Sequence, residues 1–173
     1  GFIDILNKMG AKIKIVNKRK IQGEYVADIL VKSKKLKNIS VPKNIIPRTI
    51  DELPILFVIC ALSKGRAKFN GIAELRIKES DRIAAMEKGL NVIGIKTEST
   101  RDTLTIYGNP KIKFQKKISL STNLDHRIAM SFFILGQTLG THITIKGFES
   151  VNSSFPNFLK LQKKLGAEYE IKT

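Results

Sequence analysis

Tryptophan is missing from this 173-residue sequence, aromatic residues make up only 7% of it, and there is one cysteine. A lone thiol, Cys60, closes no internal disulfide and fits no zinc pattern. The two histidines, His126 and His142, stand too far apart for metal-ligand spacing. Neither residue type therefore offers a metal-binding pattern. Long apolar runs are also lacking. The longest, Ile55 to Leu62, has eight residues, against the roughly 20 that a membrane helix needs. No phosphate loop of the GxGxxG or GxxxxGK type occurs, and nothing suggests a Ser/His/Asp arrangement. The opening Gly1-Phe2-Ile3-Asp4 lacks the basic-then-apolar pattern of a secretory signal. The expectation is a cytoplasmic protein.

Acidic side chains are few as well. Asp plus Glu total 15 against 31 Lys plus Arg, a net charge of +16. Such an excess attracts polyanions, so nucleic acid has to be considered as a partner. The distribution argues against that as the main function. Most of the excess is lysine on polar stretches, as in Lys32 to Lys37 and Lys160 to Lys164. Single-strand binders interleave basic residues with stacking aromatics, and here the aromatics are scarce. With 42% hydrophobic residues the chain can bury a core, which excludes intrinsic disorder.

What the sequence does contain is repetition. Apolar residues at helical spacing lead into Gly10, Gly94 and Gly166, each followed by apolar/polar alternation. Glycine suits the left-handed position after a helix, and alternation marks a half-buried strand. The strands expected here begin after Gly10 and Gly94, and span Ala167 to Ile171. A second pattern opens at Asp51-Glu52-Leu53-Pro54 and again, 74 residues on, at Asp125-His126-Arg127. Each start leads through an apolar helix, ending near Gly65 and Gly140, into a strand. The units read helix, strand, connection, helix, strand, strand. Lys32 to Pro47 reads as strand and surface loop. The expected class is α/β (α+β), and the chain opens inside a repeat, as the C-terminal part of a larger protein would.

Helix starts hold the chemical candidates. Asp51, Ser80, Asp125 and Ser154 are all suitable N-caps. Helix N-termini gather unpaired amides and partial positive charge, which favour anions. If the repeats surround a pseudo-axis, several such ends converge. Lys78-Glu79-Ser80-Asp81-Arg82 packs five polar residues between Ile77 and Ile83. It reads as an exposed capping loop, or as a cation pair that binds an anionic substrate and leaves a carboxylate for proton transfer. Asp51 and Asp125 read as plain caps on their own, and Arg127 as a partner for Asp125 or a neighbouring carboxylate. Cys60 reads as core, His142 as a strand residue, and His126 as a weak candidate for orienting a ligand.

Together Asp51-Glu52-Leu53-Pro54, Leu75 to Arg82, Leu124 to Met130 and Ser154-Phe155-Pro156 resemble the ordered signatures of the 3-phosphoshikimate 1-carboxyvinyltransferase (EPSP synthase) family. The segment Gly23 to Asp28 is similar to its herbicide-tolerant bacterial branch. The resemblance runs from Gly1 to about Ile171. It implies a domain of repeated βαβαββ-type units with helices enclosed by sheets, residues 1–173 being about two and a half units of a two-domain enzyme. It implies transfer of the enolpyruvyl group of phosphoenolpyruvate to the 5-hydroxyl of shikimate 3-phosphate, in aromatic amino acid biosynthesis. By motif match Asp51 is proton acceptor and shikimate 3-phosphate contact, and Glu79 is proton donor. Lys78 contacts shikimate 3-phosphate, while Arg82 and Arg127 hold phosphoenolpyruvate. The resemblance implies no cofactor and no membrane. It further implies an N-terminal part that completes the cleft, a monomer when complete, and an inactive fragment alone. One departure is that Asn152-Ser153-Ser154 offers no cation where a large branch of the family has a lysine. Two other readings remain at this level. One is an enolpyruvyl transferase acting on UDP-N-acetylglucosamine, and the other is a basic RNA-binding module.

Overall fold

The computed structural model describes residues 1–113 and 118–171. In chain order the elements are α1 (Phe2–Lys8), β1 (Lys12–Ile21), β2 (Glu24–Lys32), α2 (Leu53–Ala61), β3 (Gly65–Asn70), α3 (Arg82–Val92), β4 (Thr97–Ser99) and β5 (Thr103–Gly108). They continue with β6 (Ile118–Ser121), α4 (His126–Leu139), β7 (Ile143–Lys146), α5 (Val151–Ser154) and α6 (Phe158–Lys164). Short 3-10 turns at Lys43–Arg48, Ile50–Glu52, Ala73–Ile77 and Phe148–Ser150 join them.

Helix α2 is apolar on every side, and a helix of that kind must sit in the middle of a fold. Leu53, Leu56, Phe57, Val58, Cys60 and Ala61 are all buried. It packs on α4, α3 and β5, while α3 also meets β4 and β6, and α4 meets β7. Helices thus form the centre and sheets the outside. The sheets are an antiparallel β1–β2 hairpin, an antiparallel β3–β5–β4 sheet and a parallel β6–β7 pair. Burial of Cys60 pushes its thiol far up, so it is an inert core group. Gly89 lies where α3 crosses α4, and a Cβ there would fall 2.2 Å from the Phe132 ring. Ala129, Phe133, Val151 and Phe158 form a second, smaller cluster under α5 and α6.

The glycine stops occur as the pattern requires. Gly10, Gly94 and Gly166 have φ of 93°, 89° and 91°. At each, the glycine amide and the next amide bond back to the preceding turn, as in Gly94 N to Asn91 O at 2.9 Å and Ile95 N to Leu90 O at 2.9 Å. This is one capping motif used three times.

Five local expectations need correction. Ala167 to Ile171 alternates but forms no strand. Alternation assigns faces, whereas a strand also needs a neighbour to satisfy its backbone. Here the Gln137 side chain does that for Glu168, donating to its carbonyl at 2.8 Å and accepting from its amide at 3.1 Å. Ser154 closes α5 instead of capping the next helix, and Asn157 precedes α6. Pro156 forces Phe155 out of the helical region (φ −144°, ψ 71°). Asp81, not Ser80, caps α3, accepting from the Ala84 amide at 2.9 Å. Asp51 lies within the 3-10 turn Ile50–Glu52 and makes no cap bond, so its carboxylate is free for other partners. His142 immediately precedes β7 and is exposed. Among the described residues no helix is long and apolar enough to cross a membrane.

Candidate active site

Three helices begin at one place. The turn before α2 carries Asp51, the segment before α3 carries Lys78, Glu79 and Ser80, and the start of α4 carries Asp125 and Arg127. The convergence follows from the helical centre of the fold, in which α2, α3 and α4 pack on one another.

Arg82, at the first position of α3, is the central group. Its side chain is only 1% exposed, yet it is met by three carboxylates. Its Nε donates to Asp125 Oδ2 at 2.8 Å, Nη1 to Asp51 Oδ1 at 3.3 Å, and Nη2 to Glu79 Oε2 at 2.5 Å. A buried guanidinium needs such partners, because desolvating an unpaired charge costs several kcal/mol. Asp125 is buried too, at 0% exposure, whereas Asp51 and Glu79 keep 43% and 48%. The cation therefore has one fixed, dry partner behind it and two accessible ones in front.

Asp51 is the meeting point of the accessible side. Besides Arg82 it faces Lys78 Nζ at 3.9 Å and Arg127 Nη2 at 3.6 Å. Arg127 also donates from Nη1 to the Asp51 carbonyl at 2.9 Å. Lys78 follows the turn Ala73–Ile77 in extended conformation and is shared between Asp51 and Glu74. The hydrogen bond that Lys78 donates to the Glu74 carboxylate raises the Lys78 pKa above its ordinary value, against partial desolvation, with the charges of Glu74 and Asp51 adding to it. All five residues expected from the sequence, Asp51, Lys78, Glu79, Arg82 and Arg127, are thus brought together.

Sequence reasoning missed several supporting groups. Asp125 was legible as a cap, and it is one, accepting from the Arg127 and Ile128 amides at 2.9 and 3.3 Å through Oδ1. Its second oxygen belongs to Arg82 and to the Ser80 hydroxyl, which donates at 3.1 Å. Burial pushes the Asp125 carboxyl up, but the hydrogen bond and charge of Arg82 prevail, aided by the Ile128 amide and Ser80. Its pKa lies below the ordinary value. Arg76, also overlooked, braces the loop by donating to Asp81 at 2.7 Å and to the Thr100 and Arg101 carbonyls. Pairings between residues 43 and 45 positions apart in sequence leave no local signal. His126 is half-buried at the start of α4.

Chemically, the site offers two accessible carboxylates against three cations, with one further carboxylate buried behind them. Carboxylates this close to guanidinium and ammonium groups can move protons, and the cations can receive an oxyanion that displaces those carboxylates.

Comparison with known proteins places the chain in a family. The model of the family described as EPSP synthase (3-phosphoshikimate 1-carboxyvinyltransferase) matches residues 1–161. The chain is 44% identical over 174 residues to the 3-phosphoshikimate 1-carboxyvinyltransferase of Zymomonas mobilis subsp. mobilis, covering 99% of this chain and 38% of that protein. To the protein of the same name from a Chelativorans species it is 43% identical over 170 residues, covering 98% and 38%. A solved structure of EPSP synthase from Acinetobacter baumannii superposes with a TM-score of 0.90 at 41% identity, over 99% of this chain and 40% of that one. The enolpyruvyl transferase NikO from Streptomyces tendae shares the fold, with a TM-score of 0.64 at 16% identity over 96% and 35% of the two chains. The chain belongs to the EPSP synthase family, and it spans about 38% of the length of these curated relatives.

Proposed function

We propose that this chain forms one wall of an active site that transfers the enolpyruvyl group of phosphoenolpyruvate to the 5-hydroxyl of shikimate 3-phosphate, releasing phosphate. The observation that carries this reading is the position of Asp51 among Lys78, Arg82 and Arg127, with Glu79 on the same guanidinium. In the first step the 5-hydroxyl oxygen bonds to C2 of phosphoenolpyruvate while C3 gains a proton. Asp51 accepts the hydroxyl proton and Glu79 supplies the one to C3. The tetrahedral intermediate then loses that C3 proton and expels phosphate, restoring the double bond. Lys78, beside Asp51, suits the shikimate 3-phosphate side. Arg127 and Arg82 suit the carboxylate and phosphate of phosphoenolpyruvate, since the guanidinium fork matches both.

Arg82 is covered in front by Asp51 and Glu79, so a substrate oxyanion reaches it only by taking the place of one of them. The chain also needs an opposing wall. That wall, in this reading, comes from the remainder of a complete two-domain protein, to which residues 1–173 contribute the C-terminal part. The protein acts as a cytoplasmic monomer, closing over both substrates to exclude water. The relatives carry the name of the shikimate enzyme, which disfavours the sugar-nucleotide and RNA readings.

The test is phosphate release from phosphoenolpyruvate by the complete protein, with and without shikimate 3-phosphate. Release that requires shikimate 3-phosphate is expected. A folded protein that releases none, or that works equally well with UDP-N-acetylglucosamine, would overturn the assignment.

A further inference from the structure

We infer that Asp125 is a positioning residue for both arginines of the proposed phosphoenolpyruvate site. The inference rests on the reading that Arg82 and Arg127 hold that substrate. Its two oxygens do different work. Oδ2 takes Arg82 Nε at 2.8 Å, which turns Nη1 and Nη2 toward Asp51 and Glu79 on the accessible side. Oδ1 takes the backbone amides of Arg127 and Ile128, which fixes where α4 begins and so where the Arg127 side chain starts. Ser80, from the α3 side, donates to the same Oδ2 at 3.1 Å and limits rotation of the carboxylate. One buried group thus ties the start of α3 to the start of α4. Both Asp125 oxygens are already taken by Arg82, Ser80 and two backbone amides, so it acts through the arginines and not on the reacting atoms. A helix cap alone would need neither the second oxygen nor the negative charge.

That distinction gives the experiment, made on the complete protein. Asp125→Asn keeps an oxygen that can cap α4, because asparagine is among the preferred caps. It loses the charge and sets an amide N–H against Arg82 Nε–H. A purely structural role lowers the active fraction, so kcat falls while both KM values stay put. Positioning predicts instead that KM for phosphoenolpyruvate rises about 10- to 100-fold, as loss of a charge-assisted hydrogen bond implies, and rises more than KM for shikimate 3-phosphate. Ser80→Ala removes only the lesser bond and should give the same pattern at about two- to tenfold. It also serves if Asp125→Asn does not fold. An independent readout is the Arg82 Nε–H resonance, which should exchange slowly with water in the parent and quickly in Asp125→Asn. If the parent protein turns over no substrate, the function reading fails, and the Arg82 resonance alone decides the positioning role. Unchanged KM values with an unchanged Arg82 resonance would overturn it.

Discussion

The β1–β2 hairpin and the junction of α2, α3 and α4 are built on opposite terms. The hairpin alternates from Lys12 to Ile15 before a register shift between Val16 and Arg19, and its pairing sets Ile13 opposite Val31 and Ile15 opposite Ile29 on one face. That face is left largely open, with Ile29 and Val31 53% and 68% exposed. Its tight turn, Gln22-Gly23 with both φ positive, matches the twist of two-residue hairpins. Local rules suffice to form it. The junction is the reverse. Its segments obey local rules imperfectly, since Asp51 caps nothing and Ser80 gives up its cap to Asp81. What holds it is a set of long-range ion pairs and hydrogen bonds around one buried guanidinium. Regularity in a sequence therefore points to scaffold here, and its local breaches point to the site.

The largest effect expected on either side of this comparison is chemical. Glu79→Gln in the complete protein should cut turnover by about 10²–10⁴-fold and abolish solvent-hydrogen exchange at C3 of phosphoenolpyruvate, with the fold intact by circular dichroism. Exchange at the parental rate would remove Glu79 as the proton donor. Next comes Arg82→Met, which leaves Asp125 buried without its cation. A loss of about 3–5 kcal/mol in denaturant unfolding is expected, and a loss below about 1 kcal/mol would mean the junction is no more critical than a surface pair.

The acid response is smaller and has a definite sign. The folded pKa of Asp125 is held below its unfolded value of about 3.9. Its contribution to stability is therefore complete above that unfolded value and is lost as pH falls toward the folded one. Asp125→Asn should flatten this part of the stability profile below about pH 4. A variant that loses stability with acid as steeply as the parent would contradict it. Smallest of all, Val31→Thr on the open hairpin face should change stability by less than about 0.5 kcal/mol. A cost comparable to that of a core residue would show that the face is covered in the complete protein, and that hairpin and junction do not differ in this way.

The same contrast explains what could be foreseen. The starts near Asp51 and Asp125 and the stops at Gly10, Gly94 and Gly166 are short-range features, written in adjacent residues. Asp51, Lys78, Glu79, Arg82 and Arg127 were identifiable through ordered motifs. Their mutual contacts were not, because they depend on how α3 lies across α2 and α4. The strand expected over Ala167 to Ile171 failed for a related reason. Its alternation is local, but the neighbour it requires is not supplied by the described residues, and Gln137 meets its backbone instead.

The proposed chemistry requires Asp51 to be a working carboxylate and not one more member of an ion-pair cluster. Turnover of shikimate 3-phosphate and phosphoenolpyruvate by Asp51→Asn in the complete protein tests this most directly, with the unfolding midpoint measured alongside. A fall of about 10²–10⁴-fold in kcat with a near-parental midpoint is expected. Parental turnover in a folded Asp51→Asn protein would contradict it.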